Sequence, residues 1–177
     1  MTKLIDRLRR INDGLAVVAG LALLACVAFT IIEIIMRQLG ASLGGTDEIS
    51  GYVMAIATSW GICYALTALA HVRIDLLRTR LVPAGRAVLD LIAMLSLTAT
   101  ALVIAYRTWP VLSKSLQTGA RSNTPLETPL WLPQTLWWIG WVWFAVSALL
   151  LSAAVLMYLL QGQNKKIDAI AGVRSEG

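Results

Sequence analysis

Among the ionisable residues that stand four apart in this chain, the spacing that lets side chains meet along one face of a helix, two pairs could do chemistry. Glu33 and Arg37 form the first pair. A carboxylate and guanidinium beside a long apolar run are costly unless paired, so they are either a structural ion pair at a helix end or a proton- or cation-binding site. His71 and Asp75 form the second pair, which could orient an imidazole or begin a metal site. A metal would need one or two further ligands, and the intervening Arg73 repels a cation, so a helix end or a partner contact is the expected role. Asp47 and Glu48 follow Thr46, where a helix N-terminus favours both a capping hydroxyl and negative charge. Cys26 and Cys63 lie inside apolar stretches, far from each other, and read as packing residues. No nucleophile motif, phosphate loop, zinc-binding helix or nucleotide fingerprint is present, so no catalytic or cofactor-binding residue is assigned. Thr58, Ser59 and Thr67 are expected to bond between membrane helices.

These residues are sparse in a chain that is mostly apolar. Of 177 residues, 58% are hydrophobic and 14% are charged, whereas a soluble domain carries roughly 25% charged residues. Such a surplus needs lipid around it, and about 20 apolar residues cross a hydrocarbon core. The expected fold is therefore an all-α integral membrane domain with four transmembrane helices, spanning about 15–36, 49–70, 88–109 and 136–160. Leu4, Ile5, Leu8 and Ile11 recur at helical spacing and predict a short amphipathic interfacial helix over 1–12, ended by a turn at Asn12–Asp13. Leu23-Leu24-Ala25-Cys26 has the form of a lipoprotein cleavage box, but the apolar run continues well past it, which favours a membrane span over a signal peptide.

Gly40 to Gly45 form a turn-rich connection. The basic stretch 71–86, with Pro83, is a loop or a frayed continuation of the second span. The segment from Val111 to Pro133 is polar and proline-bearing, which predicts an extended loop against the membrane surface. Trp131, Trp137, Trp138, Trp141 and Trp143 mass at the start of the last span as an aromatic belt. Residues 161–177 read as a polar, loose tail.

The net charge of +5 does not form a nucleic-acid face, because the basic residues flank apolar runs. Their distribution sets orientation instead. Eleven Lys and Arg fall in the N-terminal arm, the 71–86 connection and the C-terminal tail, against four (Arg37, Arg107, Lys114, Arg121) on the other side. The positive-inside rule then puts both termini in the cytoplasm, which four spans satisfy.

From Arg37 to Leu77 the sequence runs Arg37, a short loop, Asp47-Glu48, Tyr52, Trp60-Gly61, Ala65, then Ala70-His71-Val72-Arg73-Ile74-Asp75-Leu76-Leu77. This pattern resembles the small membrane subunit, the DctQ-like small permease, of the tripartite ATP-independent periplasmic (TRAP) transporters. Pro129-Leu130-Trp131-Leu132-Pro133 also resembles the start of that family's last helix, so the likeness covers nearly the whole chain. One departure stands out: Gly45 and Thr46 occupy the places where the family often has tryptophan before the acidic pair.

The resemblance implies a non-catalytic subunit in the bacterial inner membrane, taking part in sodium-driven uptake of an organic anion. Its partners would be a large DctM-like membrane subunit, which carries the sodium and substrate sites, and a periplasmic substrate-binding protein. Glu33, Arg37, Asp47, Glu48, Trp60, His71 and Asp75 would then be subunit-interface or structural residues, and no cofactor would reside in this chain. The rival reading is a self-sufficient multidrug-type exporter or channel, a small homo-oligomer in which Glu33 binds protons or cationic solutes. A membrane-embedded enzyme has no catalytic constellation behind it.

Overall fold

The computed structural model describes residues 2–42, 44–70 and 81–171. Among the described residues, four long apolar runs and one short, more polar segment form helices: α1 (Thr2–Gln38), α2 (Thr46–Thr67), α3 (Pro83–Thr118), α4 (Trp131–Leu160) and α5 (Asn164–Ala171). The first four are long and apolar enough to cross a membrane. Thr30, Thr58, Thr98, Thr100, Thr108 and Thr135 each donate to the carbonyl four residues earlier, so their hydroxyls are satisfied without water.

Among the described residues the helices pack in the order α1, α2, α4, α3, with α5 lying against α3 and α4. Helix α4 is an inner helix of this row, packed on α2, α3 and α5, and it buries Gly140, Phe144, Ala145, Ser147, Ala148, Leu151, Ser152, Ala154, Val155 and Tyr158. Small side chains dominate this list, which lets backbones approach where lipid supplies no hydrophobic drive for association. Gly140 shows the effect: a Cβ added there would lie 2.9 Å from Ser59 Cβ and 3.1 Å from the Ser59 backbone carbon. Helix α1 sits at the end of the row, and Val17, Val18, Leu21, Leu24, Val27, Ile31 and Ile32 are all exposed along it.

Several sequence expectations are corrected. Helix α1 is continuous, without the turn expected at Asn12–Asp13 between the 1–12 arm and the first span. Asn12 is buried and spends its amide on α2 and α4 instead of capping a new helix. Thr46 is not the cap of α2: Gly45 takes that place at φ 71°, without a side-chain hydrogen bond, and Thr46 becomes the first helical residue.

The third helix runs past its expected end at 109, through Pro110, to Thr118, so 111–118 is helix and not extended loop. Leu112 and Ser115, three residues apart, are both buried and hold this turn against its neighbours. The helix stops at Gly119, whose φ of 60° suits a residue without Cβ and whose N–H bonds the Ser115 carbonyl. The fourth helix begins at Trp131, earlier than expected. Residues 164–171 of the tail form α5, with Ile167, Ile170 and Ala171 in the core and Lys166 over the Tyr158 ring at 5.4 Å.

Candidate functional site

The Glu33–Arg37 pair forms as its spacing predicts. Arg37 Nη2 donates to Glu33 Oε1 at 3.2 Å, and Ser42, just past the end of α1, donates its hydroxyl to the same oxygen at 2.7 Å. The two partners sit in different surroundings: the Glu33 side chain is 3% exposed and that of Arg37 65%. The carboxylate is thus held inside by a neutral hydroxyl as well as by the guanidinium, and it fastens the α1–α2 turn to α1. Among the described residues, Arg37 makes its ion pair with Glu33 and not with the acidic pair that opens α2.

Asp47 and Glu48 separate in role. Asp47 is exposed. Glu48 accepts from the Tyr52 hydroxyl at 2.7 Å on its own helix and from Thr124 Oγ1 in the α3–α4 connection. That connection is folded on itself. Arg121 and Pro129 form a bridge, Ser122 N–H bonds the Thr128 carbonyl at 3.0 Å, and Thr128 N–H returns to the Ser122 hydroxyl at 3.0 Å. Leu126 from the same connection packs onto Gly45, where its side chain occupies the space a Cβ would need. The absence of a side chain at Gly45 therefore seats Leu126, and together with Glu48–Thr124 it ties the α3–α4 connection to the start of α2.

Trp60 lies deeper, and its indole N–H donates to the Leu136 carbonyl at 3.1 Å, joining α2 to α4. His71 and Asp75 lie outside the described residues. Helix α2 ends just before them, where Ala70 N–H closes on the Ala65 carbonyl at 2.9 Å.

A polar hub that local spacing did not reveal joins three helices. Asn12 is fully buried; its Nδ2 donates to the Cys63 carbonyl at 3.1 Å and to Thr67 Oγ1 at 3.4 Å. Trp143 Nε1 of α4 donates to Asn12 Oδ1 at 2.9 Å. Two turns further along α4, Ser152 Oγ lies 2.7 Å from Thr98 Oγ1 and donates to the Met94 carbonyl at 3.1 Å, linking α4 to α3. Of the three hydroxyls expected to bond between helices, only Thr67 does so; Thr58 and Ser59 bond their own helix. Two of the expected belt tryptophans likewise turn inward, Trp143 to Asn12 and Trp138 to the Ala105 carbonyl at 3.1 Å. Trp138 also meets Trp109 at 4.9 Å between ring centres.

The arrangement binds helices to one another. The polar atoms of Asn12, Thr98, Trp143 and Ser152 reach carbonyls, hydroxyls or amides of neighbouring helices, and among the described residues no cluster of three metal-ligating side chains occurs.

In comparison with known families, the profile described as "Tripartite ATP-independent periplasmic transporters, DctQ component" matches residues 26–158. No curated protein and no solved structure matches the chain. The matched segment takes in Glu33, Arg37, the acidic pair, Trp60 and all of α2 and α3, and nearly all of α4. With four helices fit to cross a membrane and a match over most of its length, the chain belongs to the DctQ family and is the small membrane component of a TRAP transporter.

Proposed function

We propose that this subunit is a scaffold for the large membrane subunit of a sodium-coupled importer of an organic anion, and that it carries no solute or sodium site of its own. The observation that carries this reading is the way buried polar side chains are used. Buried Asn12, Thr67, Thr98 and Ser152, together with half-buried Glu48, are engaged in bonds that join one helix or connection to another. A chain that moved an anion unaided would present groups able to replace the solute's hydration along its path. The exposed apolar flank of α1 supports the same reading, since an end-of-row helix is free to meet a second membrane protein.

On this reading both termini face the cytoplasm, the protein sits in the bacterial inner membrane, and a periplasmic binding protein delivers the substrate. His71 and Asp75 would contact the large subunit or end α2. The exporter reading asks Glu33 to exchange protons or cations with solvent, and the 3% exposure of its side chain and its bond to Ser42 weigh against that. The test is co-purification. Tagged subunit extracted in mild detergent from cells expressing the whole gene neighbourhood should bring down a much larger membrane protein, and reconstituted alone it should move no solute. Transport by the isolated chain, abolished by Glu33→Gln, would sink the scaffold reading.

A further inference from the structure

Helices α1, α2 and α4 enclose a cavity of about 310 Å³ lined by apolar side chains, among them Val18, Ala19, Ala22, Val53 and Leu136. The one polar side-chain group among its lining residues is the Trp60 indole N–H, and that is already bonded to the Leu136 carbonyl. Water entering would find no partner, so an apolar occupant is favoured over solvent or a polar solute. The cavity opens sideways, because Val18 in its wall is 64% exposed. Its α1 wall runs from Leu15 to Ala22, about 10 Å of rise, which suits a length of hydrocarbon chain lying along the helix.

The surface of α1 leads from this mouth toward charge. Stepping by seven residues from Val18 gives Ile11 and Leu4, both about half exposed, a continuous apolar track along one side of α1. Arg7 lies eleven residues before Val18, three turns down and on the same side, with Lys3 one turn beyond it, and both are exposed. We propose that this cavity holds one acyl chain of an anionic glycerophospholipid whose phosphate is paired by Arg7 and Lys3. Charge at the end of the track selects the headgroup, and the uncharged, dry cavity selects the tail. The occupant wedges α1 against α2 and α4 at the end of the row where α1 has least protein around it. The site is independent of the scaffold reading, since it would exist in a subunit of any role.

The experiment is native mass spectrometry of the purified full chain, delipidated and then titrated with phosphatidylglycerol, phosphatidylcholine or inorganic phosphate, alongside melting temperature in detergent. The wild type should bind one phosphatidylglycerol in preference to phosphatidylcholine, ignore inorganic phosphate, and melt higher with the lipid. Ala19→Phe and, separately, Ala22→Phe fill the cavity and should weaken phosphatidylglycerol binding about tenfold, the loss expected when roughly two methylenes can no longer be buried. Both should fold, and their melting temperature should no longer respond to lipid. Arg7→Gln with Lys3→Gln should abolish the headgroup preference and keep the acyl binding. Val27→Phe, on exposed α1 surface away from the cavity, should change none of these. Undiminished lipid binding in both filled variants overturns the cavity site, and equal binding of the two lipids by the wild type overturns its selectivity.

Discussion

Asn12 uses both amide hydrogens and its carbonyl in tertiary bonds at a position with no exposed surface, so it cannot be replaced by a residue of equal size without stranding a partner. Asn12→Leu leaves the Trp143 indole N–H buried and unpaired, which should cost about 1–3 kcal/mol. Trp143→Phe removes that orphan, so the double variant should lose less than the two single losses added together. The coupling should fall near the roughly 0.6–1.7 kcal/mol of hydrogen bonds between membrane helices. Unfolding of the purified chain in detergent measures all three, and strict additivity would mean that the Asn12–Trp143 bond contributes nothing. At Glu33 the surroundings decide which partner matters more. Arg37 is mostly exposed, and an exposed ion-pair partner contributes about 0–1 kcal/mol. Ser42, also at an exposed position, makes the shorter bond to the same buried oxygen, and a hydrogen bond to a charged group contributes about 1.5–3 kcal/mol. Ser42→Ala should therefore destabilise the chain more than Arg37→Ala in the same assay; the reverse order would show that charge, not the hydroxyl, holds the carboxylate in.

At the scale of helices, the closest constraint lies between α2 and α4. A methyl at Gly140 meets both the side chain and the backbone of Ser59, and overpacking of this kind typically costs about 1–3 kcal/mol. Gly140→Ala should lower stability by that amount, and Ser59→Gly added to it should recover part of the loss, since the Cβ contact goes while the backbone contact stays. A neutral Gly140→Ala would show that the two helices can separate freely. Much of this helical frame was legible beforehand. Spans two and four are uncharged runs bounded by turn residues, and the Glu33–Arg37 pair announces itself by spacing within one helix. What escaped was structure whose signal is tertiary. Pro110, Lys114 and Gln117 gave residues 111–118 the look of a loop, and the buried face of Leu112 and Ser115 is too short a pattern to stand against them. The same holds for α5, where Ile167 and Ile170 alone carry the packing signal in a polar tail. Asn12 carried two meanings at once, a helix cap by local preference and a buried amide by its place on the Ile5–Leu8 face. Its partner Trp143 lies 131 residues away, a distance over which no spacing rule operates.

For the molecule as a whole, a row of helices offers two broad faces and two edges, and which ends of the helices face the cytoplasm decides what each can meet. Orientation rests on charge. Eleven of the fifteen Lys and Arg fall in the N-terminal arm, the 71–86 connection and the C-terminal tail, the segments that the positive-inside rule assigns to the cytoplasm. The structure makes this testable without disturbing the core. Cys26 and Cys63 are both buried, so a membrane-impermeant maleimide should leave them alone in the folded protein. Asn123 in the α3–α4 connection and Gln161 just past α4 are exposed and lie at opposite ends of the last helix. In spheroplasts, Asn123→Cys should label from outside, whereas Gln161→Cys should label only after the membrane is permeabilised. The opposite pattern would invert the molecule and put the Glu48–Thr124 contact in the cytoplasm. Labelling of both positions from outside would mean that α4 does not cross at all, and that its 30 residues, the most buried of the four long helices, lie against protein instead of through lipid.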